Sequence, residues 1–259
     1  LVESEDLPLN VSRETLQDNS VIRRIRNVLV KSVLDRLSKL ADENPESFRT
    51  FLEQFGPILK EGILTEFEHR DRIAALLRFA TSRDESGAEL SSLHEVIARA
   101  PADQAAIYYL GGPDLASIRK SPNLEIFRRR GIEVLFLTDP IDEFVMASLG
   151  RFEGKELKSI DSADLNLPGP QIETPPSEGS NTGFSRVLEL FRSSLGDRVI
   201  DVRESKRLTD SPCCLVNASG GLSTQMQRIL QQANRDVPAI GRILEINPHA
   251  PLISRLAEL

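Results

Sequence analysis

Apolar positions recur at steps of three and four through Ile22, Ile25, Leu29, Val33, Leu37 and Leu40, which predicts a helix with one apolar face. Six basic residues from Arg23 to Lys39 lie between them, and Asp18 is a candidate cap just ahead. Asn44-Pro45 reads as the N-cap and first helical residue of a second helix. Its apolar face holds Phe48, Phe51, Leu52 and Phe55, and Gly56-Pro57 is expected to close it. A third helix is predicted over Glu66 to Leu77, with Leu76 to Ala80 as a strand candidate.

From Leu93 the rhythm changes. Ala105 to Leu110 predicts a short apolar strand, turned by Gly111-Gly112-Pro113. Ser121-Pro122 opens a helix that ends at Gly131, a left-handed stop. Ile132 to Leu137 has little alternation and predicts a buried parallel strand. Asp139-Pro140 caps the next helix, with Ile141, Phe144, Val145 and Leu149 assigned to one face. Strand, crossover helix, strand and helix make a βαβ unit. Asn166 to Gly183 holds four prolines and three glycines in 18 residues, the composition of a linker. Beyond it, helices are expected over Phe184 to Leu195, Leu222 to Ala233 and Leu252 to Leu259. Strands are expected over Arg198 to Val202, Leu208 to Val216 with a break at Pro212, and Arg242 to Ile246. The fold class is therefore α/β, or α+β overall: a helical segment, a small αβα sandwich with a βαβ unit, and a smaller α+β C-terminal domain.

Composition narrows the function. Lys and Arg total 32 against 39 Asp and Glu, a net charge of −7, which opposes a surface built for nucleic acid. No apolar run approaches the 18 residues that span a membrane, and the acidic start LVESEDLPLN lacks the apolar stretch of a signal peptide. The two cysteines, Cys213 and Cys214, are adjacent and have no metal-ligand spacing, so no disulfide framework is expected. A reducing, cytoplasmic setting fits.

Local chemistry is sparse. The Gly111-Gly112-Pro113 turn matches no phosphate-loop pattern, and its proline removes a backbone donor. His69, His94 and His249 share no spacing, so no metal site is expected. The cysteine pair lies in an apolar strand context and reads as small buried side chains. Arg128-Arg129-Arg130 ends a helix, where cations complement its dipole. Arg13 sits in the polar loop LPLNVSRETLQ, where it is either a helix-start residue beside Ser12 and Glu14 or a cation for phosphate recognition in trans.

The segment SEDLPLNVSRETLQ, Ser4 to Gln17, resembles the middle-domain catalytic loop of the heat-shock protein 90 family of chaperones. GIEVLFLTDPIDEFVM, Gly131 to Met146, is similar to that family's small middle subdomain. RLTDSPCCLV, STQMQRIL and RILEINPHAPLI are similar to its C-terminal domain. The blocks keep their order along the chain and suggest the short bacterial form. The resemblance implies four parts: residues 1–92 as the end of the large middle subdomain, 93–168 as the small one, 169–183 as linker, and 184–259 as a C-terminal domain stopping before the dimerisation helices. It implies an ATP-dependent chaperone that binds unfolded or partly folded client proteins and forms a homodimer when full length, with no nucleic acid or membrane partner. ATP would be bound mainly by an N-terminal domain outside this chain, so the chain alone is expected to be inactive as an ATPase. Arg13 matches the arginine that reaches the γ-phosphate, Gln17 the glutamine that supports it, and Asn10 lies on the same loop. Glu143 and Phe144 match client-holding positions, with Phe144 where the family often has Trp and Ala147 where it often has Asn. The helix carrying Leu222, Met226, Ile229 and Leu230 matches the client-facing helix, whose apolar face is expected to stay exposed. A doubly wound α/β enzyme using the Gly111 turn for a nucleotide phosphate, and a non-catalytic interaction scaffold, are the alternatives.

Overall fold

The structure is a computed structural model that describes residues 20–84, 86–165, 167, 181–218, 223–232 and 241–258. Asn10, Arg13, Gln17, Asp18, Leu222, Ala233 and most of the expected linker lie outside the described residues.

Helix α1 (Ser20–Glu43) packs on α2 (Pro45–Thr65) and α3 (Arg70–Leu76), with a 3-10 turn at Phe67–His69 between the last two. The buried face of α1 is set by Leu34 and Leu37, flanked by Val30, Leu40 and Ala41, while Val33 is 56% exposed. The helix thus carries two overlapping apolar stripes, and contact with α2 and α3 selects the one offset from the expected face. Asn44 caps α2 by accepting from the Ser47 N–H at 3.0 Å, as its sequence implies. Gly56-Pro57 does not close α2, which continues to Thr65. Proline inside a helix removes one hydrogen bond and costs about 3 kcal/mol. Here Phe48 before it and Ile63 after it are both buried in the same core, so packing holds the helix through the defect.

Then follow β1 (Phe79–Thr81), β2 (Leu90–Ser91), α4 (Leu93–Arg99), β3 (Ala106–Gly111), α5 (Leu115–Arg119), a 3-10 turn at Pro122–Leu124, α6 (Glu125–Arg130), β4 (Val134–Leu137), α7 (Pro140–Leu149), β5 (Arg151–Phe152) and β6 (Lys155–Ser159). The six strands form one sheet in the order β2-β1-β4-β3-β6-β5. β3 is parallel to both β4 and β6, and the outer pairs are antiparallel. Ile126 and Phe127 of α6 pack on one face, and Val145, Met146 and Leu149 of α7 on the other with the α1–α4 layer. This is an αβα sandwich, and β3 lies where the chain reverses across the sheet. The stops and starts expected here appear: Gly131 is left-handed at φ 65°, and Asp139 with Asp142 forms a capping box.

The C-terminal part contains α8 (Asn181–Leu195), a 3-10 turn at Gly196–Arg198, β7 (Asp201–Glu204), β8 (Cys213–Asn217), α9 (Thr224–Gln232), β9 (Arg242–Ile246) and α10 (Pro251–Ala257). Its sheet runs β7-β9-β8, with β7 parallel and β8 antiparallel to β9. Phe184 and Val187 of α8 meet Val202, Leu244 and Ile246 of the sheet and Ile253 of α10. Helix α8 starts inside the expected linker, and two strands are displaced from expectation. Leu208 to Pro212 is not strand, because its backbone N–H groups are satisfied elsewhere. Ser205 Oγ accepts from Leu208, and the Glu125 carboxylate accepts from Thr209, Asp210 and Ser211 at 2.7, 2.9 and 3.1 Å.

Candidate functional site

The end of β3, helix α7, helix α9 and strand β8 converge, and the described client-matching residues lie there. Pro140 starts α7 with its fixed φ, so Asp142 and Glu143 fall in the first turn, where carboxylates are favoured. Asp142 is buried and held by Lys60 Nζ at 2.6 Å. Burial raises its pKa, while the lysine opposes the rise.

Glu143 is only 3% exposed, and its Oε1 has no hydrogen-bond partner. Burial pushes its pKa up to about 7; the Ser223 hydroxyl opposes this, and the Asp161 and Asp142 charges add to it. The carboxyl lies against the backbone of Gly111. A Cβ there would collide with Glu143 Oε1 and stand 3.0 Å from Gln225 Cβ. At Gly112 a Cβ would stand 2.6 Å from Ile118 Cγ1. The two glycines therefore make room for neighbouring side chains. They do not fit a phosphate: a carboxyl occupies the first, the Gly112 N–H already donates to Leu137 O at 3.0 Å, and Pro113 has no donor. This removes the basis of the nucleotide-enzyme alternative.

Asp161 ties the sandwich to the C-terminal sheet. It accepts from Asn217 Nδ2 and from the Thr224 N–H, both at 2.9 Å, and from Ser159 Oγ. Its carbonyl accepts from the Asn217 N–H at 2.7 Å. Arg207 adds a second tie, donating to Ile160 O at 2.6 Å, Ser162 O at 2.8 Å and Glu245 Oε2 at 2.9 Å. Glu125, through its bonds to Thr209–Ser211, is the third. Sequence reasoning missed all three, since the partners that each meets across the two sheets lie 45 or more residues away along the chain.

Phe144 is 36% exposed, although its neighbours Glu143 and Val145 are buried. It therefore leaves the face shared by Val145 and Leu149. Helix α9 packs on α7, so its apolar face is not bare as expected. Met226 is 6% exposed, Ile229 and Leu230 are half-buried, and Arg228, Gln231 and Gln232 point outward. Nine residues of amphipathic helix gain more from covering that face with α7 than from leaving it in water. Cys214 is buried, and burial pushes its thiol up to about 12 with the Glu245 charge adding. Cys213, expected to be buried, is exposed because neighbours on a strand face opposite ways. Among the described residues no three metal-ligating side chains cluster, and no helix is long and apolar enough to cross a membrane.

A family model described as Hsp90 protein matches residues 1–259. The chain is 44% identical over 258 residues to Chaperone protein HtpG of Alkalilimnicola ehrlichii, covering 99% of this chain and 40% of the relative. Identity is 42% to Chaperone protein HtpG of Methylococcus capsulatus, covering 99% and 41%, and 41% to that of Geobacter sulfurreducens, covering 100% and 40%. The chain spans about two fifths of the length of these curated relatives.

Proposed function

This chain belongs to the Hsp90 protein family, and from that premise we propose that it is the client-holding part of an ATP-dependent chaperone. The observation that carries the reading is Phe144, a large apolar side chain left at the surface on a helix whose adjoining residues are buried. Helix α9 packs on α7, and Ile229 and Leu230, half-buried on α9, would extend the apolar surface that Phe144 offers. Unfolded segments of client proteins, rich in apolar side chains, are its partners. Glu143 and Met226 act from beneath, by positioning the two helices. Leu222 and Phe144 would touch the client.

The loop of Asn10, Arg13 and Gln17 supplies the chain's part in the ATP cycle. Arg13 contributes a fixed positive charge to the γ-phosphate of ATP held by another domain, and Gln17 supports that contact. Asn10 helps to shape the loop. The full-length protein works as a cytoplasmic homodimer. The ties at Asp161, Arg207 and Glu125 make the sandwich and the C-terminal sheet move together, so that a domain rotation carries the client surface with it.

Suppression of aggregation of a chemically denatured protein, followed by light scattering, tests the client reading. Phe144→Ser weakens suppression roughly threefold or more, as expected of an exposed anchor, with an unchanged melting temperature, and Phe144→Leu retains most of it. Equal suppression by Phe144→Ser and wild type refutes the assignment.

A further inference from the structure

Strand β8 leaves part of its outer edge unpaired, between the bridge of Asn217 to Ser162 and the 3-10 turn at Pro122–Leu124 that packs beside the strand. Its ladder with β9 is flanked by the bonds Asn247 N–H to Pro212 O and Ala218 N–H to Gly241 O, so Cys214 and Val216 bond to β9 and Cys213, Leu215 and Asn217 face away from it. Asn217 uses its outward groups: its N–H donates to Asp161 O, and its carbonyl accepts from the Ala163 N–H at 2.8 Å. Cys213 and Leu215 have no such partner among the described residues. Other sheet edges are blunted: β2 and β5 are two residues long, and β7 carries Asp201, Arg203 and Glu204. β8 has no charged side chain, and Leu215 is 43% exposed.

The edge opens on a crevice of about 890 Å³ beyond the carboxyl end of β3, at the point where the chain reverses across the sheet. Its apolar walls include Ile118, Phe191, Leu195 and Leu244. Lys120, Arg198, Arg228 and Arg242 also line it, and none of them is in an ion pair among the described residues. Asp161 is the one acid in the lining among the described residues, and its carboxylate is already taken up by Ser159, Asn217 and Thr224. Four cations with no ion pair among the described residues, around an apolar slot on a chain of net charge −7, reverse the local sign.

We propose that this crevice takes an extended acidic–apolar polypeptide segment, which adds a strand to the edge of β8 at Cys213 and Leu215. Backbone pairing gives sequence-tolerant affinity, apolar side chains lie on Leu215 and Leu244, and acidic ones meet Arg228 and Arg242. The proposal rests on the client-holding reading but places a second contact away from Phe144.

The test uses the 259-residue chain and a fluorescein-labelled decapeptide of alternating valine and aspartate. Three-way comparison by anisotropy sets it against the same peptide N-methylated at every second amide, and against a valine–lysine analogue. Loss of about tenfold or more in affinity is expected for both analogues, and bound peptide should slow hydrogen exchange at the Leu215 amide. Leu215→Pro removes an N–H that β9 does not use, and should lose the peptide while retaining Phe144-dependent suppression of aggregation. Equal binding of the N-methylated peptide overturns the proposal without involving any variant's fold. So does slow exchange at Leu215 before peptide is added, because the edge is then already covered. If Leu215→Pro binds the peptide normally while Phe144→Ser loses suppression, strand addition fails and the client reading stands. If Phe144→Ser retains suppression while Leu215→Pro loses the peptide, the client surface fails and the crevice remains.

Discussion

Replacing Glu143 by glutamine should make the protein more stable above neutral pH. The carboxyl is 3% exposed, and burial moves its pKa from an ordinary 4.5 to about 7. At about 1.4 kcal/mol per factor of ten in proton affinity, that gap corresponds to about 3 kcal/mol. The folded protein binds this proton more tightly than the unfolded chain. Stability from the neutral form is therefore fully present below pH 4.5, falls between 4.5 and 7, and is lost above 7. The Glu143→Gln side chain keeps the shape and carries no charge at any pH, so the difference between variant and wild type isolates this one group. Near pH 5 the two should unfold at similar urea concentrations, and at pH 8 the variant should be ahead by about 1 to 3 kcal/mol. The chain has no tryptophan, so helix ellipticity at about 222 nm is the signal to follow. Parallel pH profiles would refute the reasoning, since they would mean that Glu143 is hydrated or paired in the folded state. A variant weaker at every pH would point instead to a hydrogen bond that only the carboxylate can make.

Gly111→Ala should destabilise the chain by about 1 to 3 kcal/mol through the collision with Glu143. Combining it with Glu143→Ala should cost less than the sum, which a double-mutant cycle in urea measures. Arg207→Met removes three bonds and leaves buried Glu245 with Arg203 at 2.7 Å as its remaining ion-pair partner. Its expected cost is about 3 kcal/mol, seen as faster hydrogen exchange in β8 and β9; unchanged exchange would remove Arg207 as a tie between the sheets.

What was legible in the sequence is what local chemistry determines. Asn44-Pro45, Ser121-Pro122, Asp139-Pro140 and Gly131 mark helix ends because capping groups and fixed dihedrals act within a single helical turn. The hairpin of β5 and β6 was missed, although Glu153 and Gly154 at φ 46° and 79° form its two-residue turn. Gly56-Pro57 failed as a stop signal because core contacts on both sides outweighed a local cost. Leu208 to Pro212 failed as a strand because Glu125, on another helix, captured its N–H groups. The loop of Asn10, Arg13 and Gln17 was found by resemblance to a motif, and its residues lie outside the described part. Phe144 and α9 were singled out by the family resemblance, whereas the helical pattern set Phe144 on the face of Val145 and Leu149 and could not say which side of α9 meets α7.

The same limit governs Gly111, and here the physical reason is specific. A glycine turn after a buried parallel strand can serve a phosphate when its backbone N–H groups are free to approach an anion. At Gly111 the anion-type group is supplied by the protein itself, as the carboxyl of Glu143 from a helix further along the chain. A carboxyl in that place excludes a phosphate ligand, and burial there raises the carboxyl's own pKa. The missing side chain at Gly111 and the buried acid at Glu143 are thus two halves of one arrangement. It holds α7 close to the end of β3, fixes α9 through Gln225 and Ser223, and leaves Phe144 facing solvent on the next position of the helix.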